Sequence, residues 1–151
     1  MRSVRAGALA GLVTSVFTGT LGVLAAQGMA QDVFFISIAR EWGFGDSSVV
    51  GGWALHLLTG LLVGAIFLGV TNRVPLLALS TWPRALGIGA GAGILVWIVL
   101  LYPLSVVFIP EALTSDFIVG SFVGHIIFGV ITAVIAAFVL RSGQTSKPAA
   151  P

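Results

Sequence analysis

The chain predicts an all-α integral membrane protein with four transmembrane helices, and two observations support that reading. Of 151 residues, 58% are hydrophobic, and only seven basic and five acidic side chains are present, where a soluble domain has about a quarter of its residues charged. Those few charges also divide the chain into four uncharged runs, 6–31, 47–72, 85–110 and 117–140. About 20 apolar residues cross a bilayer core as a helix. Hydrocarbon offers the backbone no water, so every amide must bond within its own segment or within a closed barrel. Runs of this length suit helices, not short alternating strands.

The expected helices are 6–28, 49–70, 85–108 and 117–140, within a single domain over 1–141. Placing both termini and the 71–84 connection in the cytoplasm puts Arg2, Arg5, Arg73, Arg84, Arg141 and Lys147 inside, with Arg40 alone outside. By the positive-inside rule this is an N-in, C-in, multi-pass topology in the cell (plasma) membrane. All five acids, Asp32, Glu41, Asp46, Glu111 and Asp116, then fall outside. The first residues also have the outline of a secretory signal, with Gly28-Met29-Ala30 as a small-residue cleavage site. Their apolar run exceeds the roughly 7–15 residues of a signal core, so the first helix is expected to be retained.

Residues 32–42 place Phe34, Phe35, Ile38 and Trp42 on one side, which fits either a helix lying in the outer interface or a loop packed on the bundle. Trp42 and Trp53 at the outer boundary and Trp82 at the inner one suit aromatic belts. Thr81 ahead of Pro83, and Ser115 or Asp116, are the expected helix starts. The polar, Pro- and Ala-containing tail 142–151 is expected to be a disordered cytoplasmic segment.

The second and fourth helices align at an offset of 69, which superposes His56 on His125. The same offset matches the series Gly52, His56, Gly60, Gly64 with Ser121, His125, Gly129, Ala133. A step of four is about one helical turn, so each series is a stripe of small residues interrupted by an imidazole. The first helix has its own stripe, Gly7, Gly11, Ser15, Gly19, and the third has Gly87, Gly89, Gly91 and Gly93. Apolar burial cannot drive association inside lipid, and helices gain contact where small residues let their backbones approach. Gly7, Gly11, Gly52, Gly60, Gly64 and Gly129 are therefore the expected packing positions. Two repeated helical hairpins, related by a pseudo-twofold axis along the membrane normal, are the expected architecture.

The paired signatures Gly52-Trp53-Ala54-Leu55-His56-Leu57-Leu58-Thr59-Gly60 and Gly124-His125-Ile126-Ile127-Phe128-Gly129 resemble those of a group of small archaeal and bacterial membrane proteins with no assigned activity. The resemblance covers residues 5–140 and implies a four-helix fold.

Composition excludes several functions. So few charges make no phosphate footprint, so nucleic acid is not an expected partner. With no cysteine there can be no disulfide, thiolate metal site or iron–sulfur cluster. No nucleophile elbow, phosphate loop, zinc-protease helix or carboxylate pair occurs, and no enzyme activity is expected.

The ionisable groups at depth are His56 and His125, and an imidazole in lipid reads as functional. Tyr102, the only tyrosine, is expected at a similar level, beside Pro103, which frees the carbonyl of Val99. Three readings of this layer stand side by side. His56 and His125 could be axial ligands of a b-type haem, their only metal-binding role, with Gly60 and Gly129 making room for the macrocycle. His56 or His125 with Tyr102 could hold a quinone or another lipophilic molecule. Alternatively the histidines lock the bundle by bonding to Thr18, Thr59, Ser121, each other or the Val99 carbonyl. No cofactor is required on this last reading. The expected function is that of an accessory or stabilising subunit in a homo-oligomer or a larger membrane assembly, such as a respiratory one, with the lipid bilayer as its surroundings.

Overall fold

The computed structural model describes residues 2–29 and 31–145, and every regular element among them is helical. Four stretches are long and apolar enough to cross a membrane: Val4–Gly28, Phe34–Thr71, Trp82–Phe108 and Ser115–Arg141. The first lies within α1 (Arg2–Gly28). The second joins a short α2 (Phe34–Ala39) to α3 (Ser48–Thr71). The third comprises α4 (Trp82–Val96) and α5 (Tyr102–Phe108), and the fourth lies within α6 (Ser115–Thr145).

Local chemistry accounts for these helices. Hydroxyls in lipid need partners, and Thr14, Thr18 and Thr20 each donate to the carbonyl one turn back at 2.8–3.0 Å. Thr81 caps α4 by accepting from the Arg84 amide at 3.4 Å, with Pro83 in the first turn. Helix α6 starts at Ser115, one of the two positions the sequence suggested, and Thr114 ahead of it caps the helix by accepting from the Phe117 amide at 3.2 Å. Its C-terminal end reaches Thr145, which makes residues 142–145 helical where disorder was expected; the rest of the tail lies outside the described residues.

The third span is interrupted. Residues Trp97–Leu101 form a π turn in which the Tyr102 amide donates to the Trp97 carbonyl. Pro103 supplies the reason: its ring cannot sit against the carbonyl four residues back, and a wider turn just before it relieves the clash. Ser105 then donates to the Leu101 carbonyl at 2.8 Å.

Helices α1 and α3 run antiparallel in one hairpin and α4 and α6 in another, with α1 against α6 joining the two. A Cβ added at Gly7 would strike the Gly64 carbonyl, and one at Gly11 the Gly60 carbonyl. In the other hairpin, a Cβ at Gly89 would lie 2.6 Å from the Gly129 oxygen, and one at Gly93 would strike the His125 carbonyl. Backbone meets backbone in both places, as association inside lipid requires. Leu68, Leu79, Ala85, Ala136 and Ala137 form a buried cluster at the end where α3 stops and α4 starts, flanked by Ala6, Phe67, Ile88 and Leu140.

Residues 32–42 combine the two readings: 34–39 form a helix, as the first has it, and the segment packs on the bundle, as the second has it. Phe34 lies tilted against Phe117 of α6 at 5.6 Å, Phe35 meets Trp53 of α3 edge-on at 5.1 Å, and Trp42 meets Phe108 of α5 edge-on at 5.7 Å. The segment therefore bridges both hairpins. It turns back into α3 at Gly43 (φ 87°) and Gly45 (φ 51°), where the left-handed backbone favours glycine.

The topology separates the charges. Arg5, Arg73, Arg84 and Arg141 lie at the end of the bundle where α1 begins, and all five acids lie at the other. Arg40, the basic residue at the acidic end, pairs with Asp32 at 3.2 Å.

Candidate functional site

Each hairpin holds one imidazole in an aromatic setting. In the first, His56 projects from α3 toward α1, and its Nε2 donates to the Ser15 carbonyl at 3.0 Å. Because a carbonyl only accepts, Nε2 carries the proton and Nδ1 is left with its lone pair. Phe35 lies over the ring at 4.7 Å, nearly parallel, and Trp53 stands edge-on at 6.1 Å. Gly19 closes the remaining side: a Cβ there would fall 2.9 Å from His56 Cδ2 and 2.8 Å from Trp53. The short α2 thus covers one face of this half-buried imidazole.

In the second hairpin the bond stays within α6. His125 Nδ1 donates to the Ser121 carbonyl at 2.8 Å, which leaves Nε2 as the free acceptor. The Ser121 hydroxyl accepts from Trp97 Nε1 at 3.0 Å and donates to the Ile118 carbonyl at 3.2 Å. Trp97, set by the π turn, stacks on Tyr102 at 5.3 Å and meets Phe122 edge-on at the same distance. The Tyr102 hydroxyl has no hydrogen-bond partner among the described residues, and the side chain is 43% exposed.

The structure brings Tyr102 to Trp97 rather than to either histidine. His56 and His125 protonate opposite nitrogens, one bonding across a helix interface and the other within its own turn. Of the partners considered from sequence, Ser121 serves His125 through its carbonyl; Thr18, Thr59 and the Val99 carbonyl serve neither ring. Ser15, the partner of His56, was visible only as a member of the small-residue stripe of α1. Trp97 had a readable signal, an indole N–H deep in an apolar run, which must find an acceptor.

The haem reading meets two obstacles in this geometry. An axial histidine offers iron its Nε2, and that atom of His56 is already donating to Ser15. The glycines thought to make room are filled: the Ser15 hydroxyl lies against Gly60, and the Gly89 carbonyl lies against Gly129. His125 has Nδ1 held by a carbonyl and Nε2 open, as a metal-ligating imidazole does. It is one half of a bis-histidine site without the other half. Among the described residues no three of His, Cys, Asp and Glu converge on a point.

The packing glycines sort into two kinds. Gly7, Gly11, Gly60, Gly64, Gly89, Gly93 and Gly129 face a neighbouring backbone, and Gly52 meets the Phe35 carbonyl and Ile36 of the α2 segment. A Cβ at Gly87, Gly91, Gly120 or Gly124 would meet nothing within 4 Å among the described residues. Compared with protein-family models, with curated proteins and with solved structures, the chain matches none. The likeness suggested by the paired histidine signatures therefore rests on those residues alone.

Proposed function

We propose that this chain is an integral membrane protein that works by association, as an accessory or stabilising subunit of a homo-oligomer or of a larger membrane assembly. The observation supporting this reading is Gly87 and Gly91, one turn apart on α4 and open on a face that this chain does not use. Small residues at that spacing let another helix approach closely. The first histidine supports the same reading, since its donor nitrogen is committed to holding α3 against α1.

The same proposal includes the plasma membrane with both termini inside, and a duplicated hairpin. Supporting the duplication, Gly11 meets Gly60 and Gly64 while Gly89 meets Gly129 and Ala133, so the contacts correspond at the offset that aligns the histidines.

Native gels and pull-downs on Gly91→Leu test the association. The expected result is loss of the higher-mass species from a folded protein; a wild type that is monomeric and partnerless in mild detergent overturns it. A second reading is favoured by one feature: the Tyr102 ring packs on Trp97, whose indole bonds the Ser121 hydroxyl, and the Ser121 carbonyl holds His125 with its Nε2 open, so Tyr102 and His125 flank one polar group that could bond a quinone-like molecule. Organic extraction of the purified protein followed by an ultraviolet spectrum tests that reading. A Soret band before and after dithionite would instead restore haem.

A further inference from the structure

We propose that the groove between α1 and α6 binds an anionic phospholipid, with the phosphate on Arg5 and an acyl chain along the helices. The groove has a volume of about 330 Å³ and is lined by Ala6, Leu9, Ala10 and Val13 of α1 and Ile135 and Val139 of α6. Arg5 stands at its mouth. The lining is apolar and largely open, with Leu9 at 62% exposure, so methylene groups fit it and polar ligands do not.

Arg5 and Arg73 are the guanidinium groups left available at this end among the described residues, and of the two Arg5 lines the groove. Arg84 is held by the Pro75 and Leu76 carbonyls, and Arg141 by the Leu79 carbonyl and the Trp82 ring. Arg5 makes no ion pair or hydrogen bond among the described residues. No Asp or Glu of this chain reaches it, because all five lie at the opposite end of the bundle; a second copy in the same orientation has no Asp or Glu at that level either. A lipid phosphate supplies the missing anion at the right depth, since basic sites between helix ends suit anionic headgroups.

Native mass spectrometry from mild detergent, with phosphatidylglycerol and phosphatidylcholine of identical chains, tests the proposal. Wild type is expected to retain phosphatidylglycerol in preference. Arg5→Gln should weaken that lipid about fivefold, the effect of one cation near an anionic surface, and leave phosphatidylcholine unchanged. Val139→Trp, which fills the groove from an exposed position, should reduce retention of both. Equal retention of the two lipids by wild type overturns the proposal, as does an undiminished preference in Arg5→Gln or undiminished lipid in Val139→Trp. Inorganic phosphate displacing the lipid completely would assign Arg5 to a free anion, and a co-purifying protein released by Val139→Trp would assign the groove to a partner helix; either result also overturns it. These surfaces are separate from Gly87 and Gly91, so this failure and failure of the association reading are distinguishable.

Discussion

At the residue scale, the two histidines occupy the same place in their stripes and do different jobs. His56 bonds to another helix and is enclosed by Phe35 and Trp53, whereas His125 bonds to its own helix. His56→Ala should therefore lose stability, by about 0.6 kcal/mol for an interhelical bond in a membrane and about 0.5–1.5 kcal/mol for the ring contacts. His125→Ala should lose less. Unfolding of both variants by denaturing detergent in mixed micelles checks the order; equal losses would contradict it. Ser15→Ala gives a contrary sign. The Ser15 hydroxyl is buried without a partner among the described residues while its carbonyl accepts from His56, so removing the hydroxyl keeps the bond and relieves a buried polar group. Stability should rise by about 1 kcal/mol in the same assay. The imidazoles were legible from composition, since they alone ionise at depth. Their partners were not, because both acceptors are backbone carbonyls, which every residue has.

At the element scale, the glycines make a sign test. On an open helix face glycine is worse than alanine by about 0.8–1.0 kcal/mol, so Gly87→Ala should stabilise the protein or leave it unchanged. Gly11→Ala should destabilise it by at least a similar amount, because its Cβ would enter the Gly60 carbonyl. The same thermal or detergent denaturation compares the two, and stabilisation by Gly11→Ala would refute the interface. The four-residue spacing showed that these stripes exist but not which way they face: Gly87 and Gly89 belong to one run, and only the second touches α6. Likewise Pro103 announced a disturbance in the third span, yet a π turn over Trp97–Leu101 depends on how the surrounding turns share the strain. The 32–42 segment was legible as apolar on one side. Its seat on Phe117, Trp53 and Phe108 depended on aromatic partners from three other helices.

At the scale of the whole molecule, four spans were readable because charge and hydropathy are properties of long stretches, insensitive to a residue's exact facing. The orientation proposed above, with both termini inside, is open to direct measurement. With no native cysteine, single thiols can be introduced at Ser47 and Ser80, which lie at opposite ends of the bundle and are both exposed. An impermeant maleimide should label Ser47→Cys in intact cells and Ser80→Cys only after permeabilisation. The reverse pattern would invert the topology.

The tightest backbone contacts lie inside each hairpin, and this bears on how the chain is built at the translocon. Each pair of spans can zip shut as soon as its second member leaves the ribosome, before the other pair has been synthesised. The seam between α1 and α6 is then a late docking step between two finished halves. A gene cut within the 72–81 connection should accordingly yield fragments that reunite in one bilayer, whereas a cut between α1 and α3 should leave an orphan span for the cell's proteases.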